Sequence, residues 1–282
     1  MEIINRIPRM MSVAREMRSQ GTRIGLVPAG GSLHEGHLSL ASRAREMCDS
    51  VIVSICSDHS VQGYSGNSPL DLARDAELAF TRGVDFIFAP AASDIFPSGV
   101  STFVTVEGLV DKLEGANRPG YFRGTATAIN KLINITQPHF IFLGRKAAQR
   151  VVIVRRMIRD LSIGVEVVVC PTVREEDGLA LSLSNASLNT EERRAATVLR
   201  RALERCRSLS SGGEKDATRL IAAMRSVVEA EPLSRIDYVA ITDIERLDPV
   251  EWVPVDTPSL VSLAVYIGET RLTDNLVLNG EL

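Results

Sequence analysis

Residues 28–37 read PAGGSLHEGH, between two stretches of very different texture. The apolar run Ile24-Gly25-Leu26-Val27 precedes them, and a helical pattern from Leu38 to Met47 follows. The segment holds three glycines and two of the chain's four histidines. A strand handing over to a helix through such a segment predicts an α/β fold with chemistry in the loop. In doubly wound sheets, ligands sit at the carboxyl ends of strands, where helices begin. A helix N-terminus offers N–H groups and partial positive charge to a phosphate. Gly36, between the histidines, removes a side chain where a nucleotide would press on the helix start. His34 and His37, one helical turn apart, are expected to face the same phosphates. Both can donate hydrogen bonds to the charge that develops when an α-phosphate is attacked. A zinc pair is the competing reading; it needs further ligands, and only His59 and His139 remain as histidines.

Outward from this segment, short β-branched runs alternate with helical patterns. RIGLVP, VIVSIC, VDFIFAP, HFIFLG and VEVVVCP read as strands. Leu38 to Met47, Leu70 to Arg82, Thr125 to Thr136 and Lys146 to Leu161 read as helices between them. Strands apolar throughout and separated by helices predict a Rossmann-like parallel sheet with helices on both faces. After Asp177 the texture changes. NTEERRAATVLRRALERC reads as one long charged helix, with a threonine N-cap and acidic residues in its first turn. A second helix, about Asp216 to Ala230, follows the linker SLSSGGEKD, and RIDYVAIT and SLVSLAVYIG read as strands. The expected division is a nucleotide-binding domain over residues 1–177 and a smaller α+β domain over 178–282.

Net charge is −3 and the apolar fraction 45%, as in soluble globular proteins with a substantial core. There is no basic excess to suggest a nucleic-acid partner. No apolar run approaches the roughly 18 residues of a spanning helix, and no signal-peptide pattern opens the chain. Cys48, Cys56, Cys170 and Cys206 are scattered without CxxC spacing, which predicts reduced thiols and a cytoplasmic location.

HEGH in a strand–loop–helix setting resembles the HxGH signature of the nucleotidyltransferase superfamily. The wider stretch GLVPAGGSLHEGHLSL resembles one family within it, the pantoate–β-alanine ligases (pantothenate synthetases). The likeness continues in order through LEGANRPGYFRGTATAINKLINITQP, FLGRKAAQRVVIVRRMIRDL, VCPTVREEDGLALSLSN and GETRLTDN. The resemblance implies a Rossmann-like ATP domain, a C-terminal domain that closes over the site, and a homodimer. It also implies two steps. A carboxylate attacks the α-phosphate of ATP, giving an acyl-adenylate and pyrophosphate; an amine then displaces AMP to form an amide. Carried over residue by residue, His34, His37 and Lys146 are the catalytic candidates. Pro28, Gly30, Gly36, Gly144, Val173, Ser182 and Ser184 join them as ATP contacts. Mg²⁺ is expected with ATP, and no metal ligand is expected from the protein's side chains.

The acid half departs from the family pattern. The loop usually reads PTMG and here is Pro28-Ala29-Gly30-Gly31. The strand end SIFVNPTQF is here SICSDHSVQ, which puts Asp58, His59 and Val61 at altered positions with Gln62 one place beyond. GEKDxQQ is here Gly144-Arg145-Lys146-Ala147-Ala148-Gln149-Arg150, and SSRN is Ser182-Leu183-Ser184-Asn185, which lacks an arginine for the phosphates. Ala29, Asp58, Val61, Gln62, Gln149 and Arg150 are the expected acid-pocket residues. A site that hydrogen-bonds substrate hydroxyls discriminates strongly against other acids. The altered positions therefore predict a small carboxylic acid other than pantoate, joined to a small amine or amino acid. Ordinary pantothenate synthesis and a catalytically weak nucleotide-binding paralogue are the alternatives.

Overall fold

A computed structural model describes residues 1–56 and 71–282. Within them the chain forms two compact units, Met1–Cys170 and Pro171–Leu282. The elements of the first are β1 (Glu2–Ile4), α1 (Ile7–Ser19), β2 (Ile24–Ala29), α2 (Glu35–Met47), β3 (Ser50–Ile55), α3 (Leu72–Phe80), β4 (Phe86–Phe88), α4 (Ala92–Ile95), α5 (Glu114–Asn117), α6 (Tyr121–Thr136), β5 (Phe140–Gly144), α7 (Ala148–Asp160) and β6 (Glu166–Cys170). Its six strands lie in the order β1-β4-β3-β2-β5-β6, and every pairing is parallel. The expected α/β architecture is thus present, with all five expected strands in one sheet. β1 and α1 were not foreseen.

The alternation of side chains along each strand supplies two apolar faces. Val27, Ala29, Val51, Val53, Ile55, Ile87 and Phe142 pack with Leu38, Ala41 and Ala44 of α2 and Ala79 of α3. After β2 the chain steps to β3 and β4 on one side, but β5 and β6 return on the other. Right-handed crossovers then place α7 on the face opposite α2. The order reverses between β2 and β5. Their pairing of Gly25 with Phe140 and Leu26 with Ile141 brings the strand ends Ala29 and Gly144 level. That reversal is where a ligand crevice opens in such sheets.

The second unit contains α8 (Thr190–Ala196), α9 (Val198–Ser211), α10 (Ala217–Glu229), β7 (Ser234–Asp243), β8 (Ser259–Ile267) and β9 (Thr270–Leu278). The strands form an antiparallel sheet in the order β7-β8-β9. Its core joins Leu199, Leu203, Leu220 and Met224 to Val261, Leu263 and Leu276. The single long helix expected here is two, because Thr197 interrupts it between α8 and α9. The cap is Asn189 rather than the threonine. Its side chain accepts from Glu191 and Glu192 N–H, and Glu192 returns a bond to the Asn189 N–H. The segment around residue 177 belongs to this unit: Arg174 pairs with Ala180 and donates to Asp274 of β9 at 2.7 Å. No helix among the described residues is long and apolar enough to cross a membrane.

Candidate active site

β2 ends at Ala29, and His34 sits in extended conformation (φ −140°, ψ 171°) as the N-cap of α2. Its Nδ1 accepts the Gly36 N–H at 3.0 Å, which satisfies one of the helix's open donors. The helix therefore starts at Glu35, three residues before the expected Leu38. This bond also fixes the ring: Nδ1 carries no proton, so the neutral imidazole presents Nε2–H. A Cβ on Gly36 would lie 2.7 Å from His34 Cε1. The glycine thus leaves room for the His34 ring in this position.

The His34 and His37 ring centroids are 4.0 Å apart, so the two histidines do share one face. His37 Nδ1 is buried with no hydrogen-bond partner among the described residues. Burial lowers the His34 pKa to about 4, and the positive charge of Lys146 adds to the effect. Burial lowers His37 to about 3, with His34 and Arg150 contributing. Lys146 lies on a 3₁₀ turn, Arg145–Ala147, directly after Gly144 at the end of β5. Arg150 is the third residue of α7, which follows that turn. The fold therefore gathers the two histidines, Lys146 and Arg150 at the reversal between β2 and β5. Near neutral pH both imidazoles are uncharged hydrogen-bond donors beside fixed cations.

The linkage has a definite sign. Both folded pKa values lie below the ordinary 6.5, so between pH 6.5 and about 4 for His34, and about 3 for His37, the unfolded chain binds protons that the folded chain refuses. Stability falls as pH drops through that window and is insensitive to these groups above it. Imidazole NMR titration should place both midpoints well below 6.5. ATP, by bringing negative charge, should raise them by about one unit or more. Midpoints near 6.5 in the nucleotide-free protein would contradict the burial seen here.

The other expected site residues are placed as follows. The Ala29 methyl is buried in the core beneath α2, with Val27 and Leu33. The Gln149 amide is spent on the chain itself. It accepts from Glu114 N–H at 3.1 Å and donates to the Leu109 and Lys112 carbonyls at 3.0 and 2.7 Å. That loop is tight: a Cβ on Gly115 would meet the Val110 carbonyl oxygen at 1.8 Å. Asp58, Val61 and Gln62 lie outside the described residues, as does His59. His139 cannot complete a metal set with His34 and His37. It stands at the amino end of the sheet, where its Nδ1 accepts the Ile24 N–H at 3.0 Å. Pro28 and Gly30 flank the end of β2. In the second unit the Val173 carbonyl accepts the Leu181 N–H, and the Ser182 hydroxyl accepts the Ser184 N–H at 3.3 Å, capping the turn Leu183–Ser187.

Two groups went unnoticed in the sequence. The Tyr121 hydroxyl accepts from Arg150 at 2.7 Å, and the Arg118 guanidinium lies 3.6 Å from the centre of its ring. The stretch RPGYFRG held both partners of that stack. Asp75 is fully buried and accepts the Leu33 N–H at 3.0 Å, one residue before His34. Burial holds its carboxyl above the usual range, partly offset by that N–H.

The family model for pantoate-beta-alanine ligase matches residues 2–277. The chain belongs to the pantoate–β-alanine ligase family. A pantothenate synthetase of Pelotomaculum thermopropionicum is 45% identical over 285 residues, covering 100% of both chains. The crystal structure of the pantothenate synthetase from Thermus thermophilus superposes with a TM-score of 0.88 at 38% identity, covering 98% of this chain and 99% of that one. A pantoate–β-alanine ligase from Francisella tularensis, solved with a β,γ-ATP compound and β-alanine, gives 0.77 at 29% identity, with 98% and 97% covered. Membership makes this chain an ATP-dependent, AMP-forming, amide-forming ligase that works with Mg²⁺. The donors at the sheet reversal fit a triphosphate, being N–H groups and cations. Among the described residues no cluster of His, Cys, Asp or Glu is placed to hold a metal.

Proposed function

We propose that this enzyme joins pantoate to β-alanine. The observation that carries the reading is the assembly of His34, His37 and Lys146 at the β2/β5 reversal, in a chain that matches its family from end to end. In the first step, the pantoate carboxylate attacks the α-phosphate of ATP. His34 Nε2–H and His37 donate to the phosphate oxygens as charge builds, and Lys146 offsets the triphosphate. In the second, the β-alanine amine attacks the acyl carbon and AMP leaves. By resemblance, Pro28, Gly30, Gly36, Gly144, Val173, Ser182 and Ser184 contact ATP. The resemblance also implies a homodimer, and the scattered cysteines a cytoplasmic location.

The relatives favour pantoate over the different acid expected from the altered positions. There is a physical reason why those positions need not change the acid. Arg150 stands where the family carries glutamine, and both present N–H donors to a hydroxyl or carboxylate oxygen. Its bond to the Tyr121 hydroxyl orients the guanidinium. The test is AMP formation with pantoate, other hydroxy acids, amino acids and dicarboxylates at saturating ATP and β-alanine. Pantoate should give the highest turnover; a faster acid of another class would overturn the reading.

A further inference from the structure

We propose that Asp75, aided by Arg74, is a positioning residue that sets the geometry of His34 by gripping the backbone of Leu33. The inference rests on the reading that His34 contacts the phosphates. Three observations carry it. Asp75 Oδ1 accepts the Leu33 N–H at 3.0 Å, while Arg74 Nη1 donates to the Leu33 carbonyl at 3.4 Å. Adjacent residues of α3 thus hold both backbone polar groups of Leu33, the N–H of one peptide and the carbonyl of the next. The Leu33 side chain is 1% exposed in the core under α2, so side chain and backbone are anchored together. The next residue is His34, whose ring is locked onto the Gly36 N–H. A second tie is Arg82, just past the end of α3, which pairs with Glu35 at 2.6 Å.

The loop between Ala29 and His34 carries two glycines and a serine, and nothing in that composition stiffens it. A glycine-rich loop that must hold an imidazole to a fraction of an ångström needs an outside support. A buried carboxylate aimed at a single N–H provides one. Asp75 reaches no substrate: it is wholly buried. Its effect on the reaction passes through His34.

The experiment compares Asp75→Asn, Asp75→Glu, Asp75→Ala, His34→Ala and the Asp75→Ala/His34→Ala double variant in pantoate-dependent ATP–pyrophosphate exchange. Asparagine keeps an oxygen for the Leu33 N–H and should stay within about fivefold of wild type. Glutamate keeps the charge but moves the oxygen by a methylene, so it should lower kcat about 10–100-fold, as displacements near 1 Å do. Asp75→Ala should match that loss, with the KM for the acid changed less than about threefold. Adding it to His34→Ala should cost little more, because coupled residues are not additive. The His34 imidazole midpoint should move toward 6.5 in Asp75→Glu, a change that tests positioning without turnover. If Asp75→Ala does not fold, the asparagine–glutamate contrast decides alone. Equal activity in the asparagine and glutamate variants, or full additivity with His34→Ala, would overturn the proposal. Normal exchange in His34→Ala, with the His34 midpoint still shifted by Asp75→Glu, would instead reject the role of His34 and leave the grip intact.

Discussion

His34→Ala and His37→Ala are each expected to lower pyrophosphate exchange by about 10²–10³-fold, the usual cost of removing one donor aimed at transition-state charge. The two imidazoles share a face and stay neutral down to about pH 4 and 3, so both enter the reaction as donors rather than as charges. A neutral donor adds no charge of its own to a group already beside Lys146 and Arg150. It gains most when the phosphate oxygens become most negative, which is the condition for raising kcat rather than merely binding ATP. His34 also caps α2, and losing a cap costs about 1 kcal/mol. His34→Asn separates the two roles. Asparagine is a good cap, so it should recover stability while exchange stays low. Near-normal exchange in both alanine variants would remove the histidines from the mechanism.

The sequence made the sheet legible because its strands are buried on both faces and so are apolar without interruption. The histidine pair was legible for a related reason: i, i+3 spacing at a helix start permits few geometries. What the sequence hides is partners distant in the chain. Gln149 is tied to residues 35–40 positions away, and nothing near it reveals that. Asp75 sits in DLARDAELAF, where any of the acids could face water; only the fold shows that this one is buried under Leu33. Ala29 is buried at the end of β2, where strand alternation turns its methyl toward α2. β9 was overlooked because TRLTDNLVL carries Asp274 and Asn275 in a buried run. Asp274 is tolerated there because Arg174 meets both of its oxygens, at 2.7 and 3.0 Å. α1 did carry a signal: Met10, Val13, Ala14 and Met17 line its buried face at helical spacing.

Lys146→Ala is expected to reduce kcat/KM for ATP by about 10²-fold, the low end of what a single electrostatic group contributes at such a site. The family arginine of SSRN is absent, so fewer cations offset the triphosphate and each remaining one counts for more. Two arginines of the second unit are already committed to carboxylates. Arg174 holds Asp274 at 2.7 Å, and Arg193 holds Glu175 and Asp177 at 2.8 and 2.7 Å. Arg145 and Arg150, on either side of Lys146, are the nearer substitutes along the chain. Their presence predicts that Lys146→Ala keeps measurable activity at high ATP. Stability should change by no more than about 0.5 kcal/mol, as for most truncations outside a core. Lys146→Arg should recover only part of the loss, because a planar fork does not occupy the place of a compact ammonium. An independent sign comes from His34. Lys146 is the second cause of its lowered pKa, after burial, so removing the lysine should raise the His34 midpoint while leaving it below 6.5. Full activity of Lys146→Ala at low ATP, with the His34 midpoint unmoved, would place the lysine away from both the phosphates and the imidazole, and the charge at the β5 end would then have to come from Arg145 or Arg150.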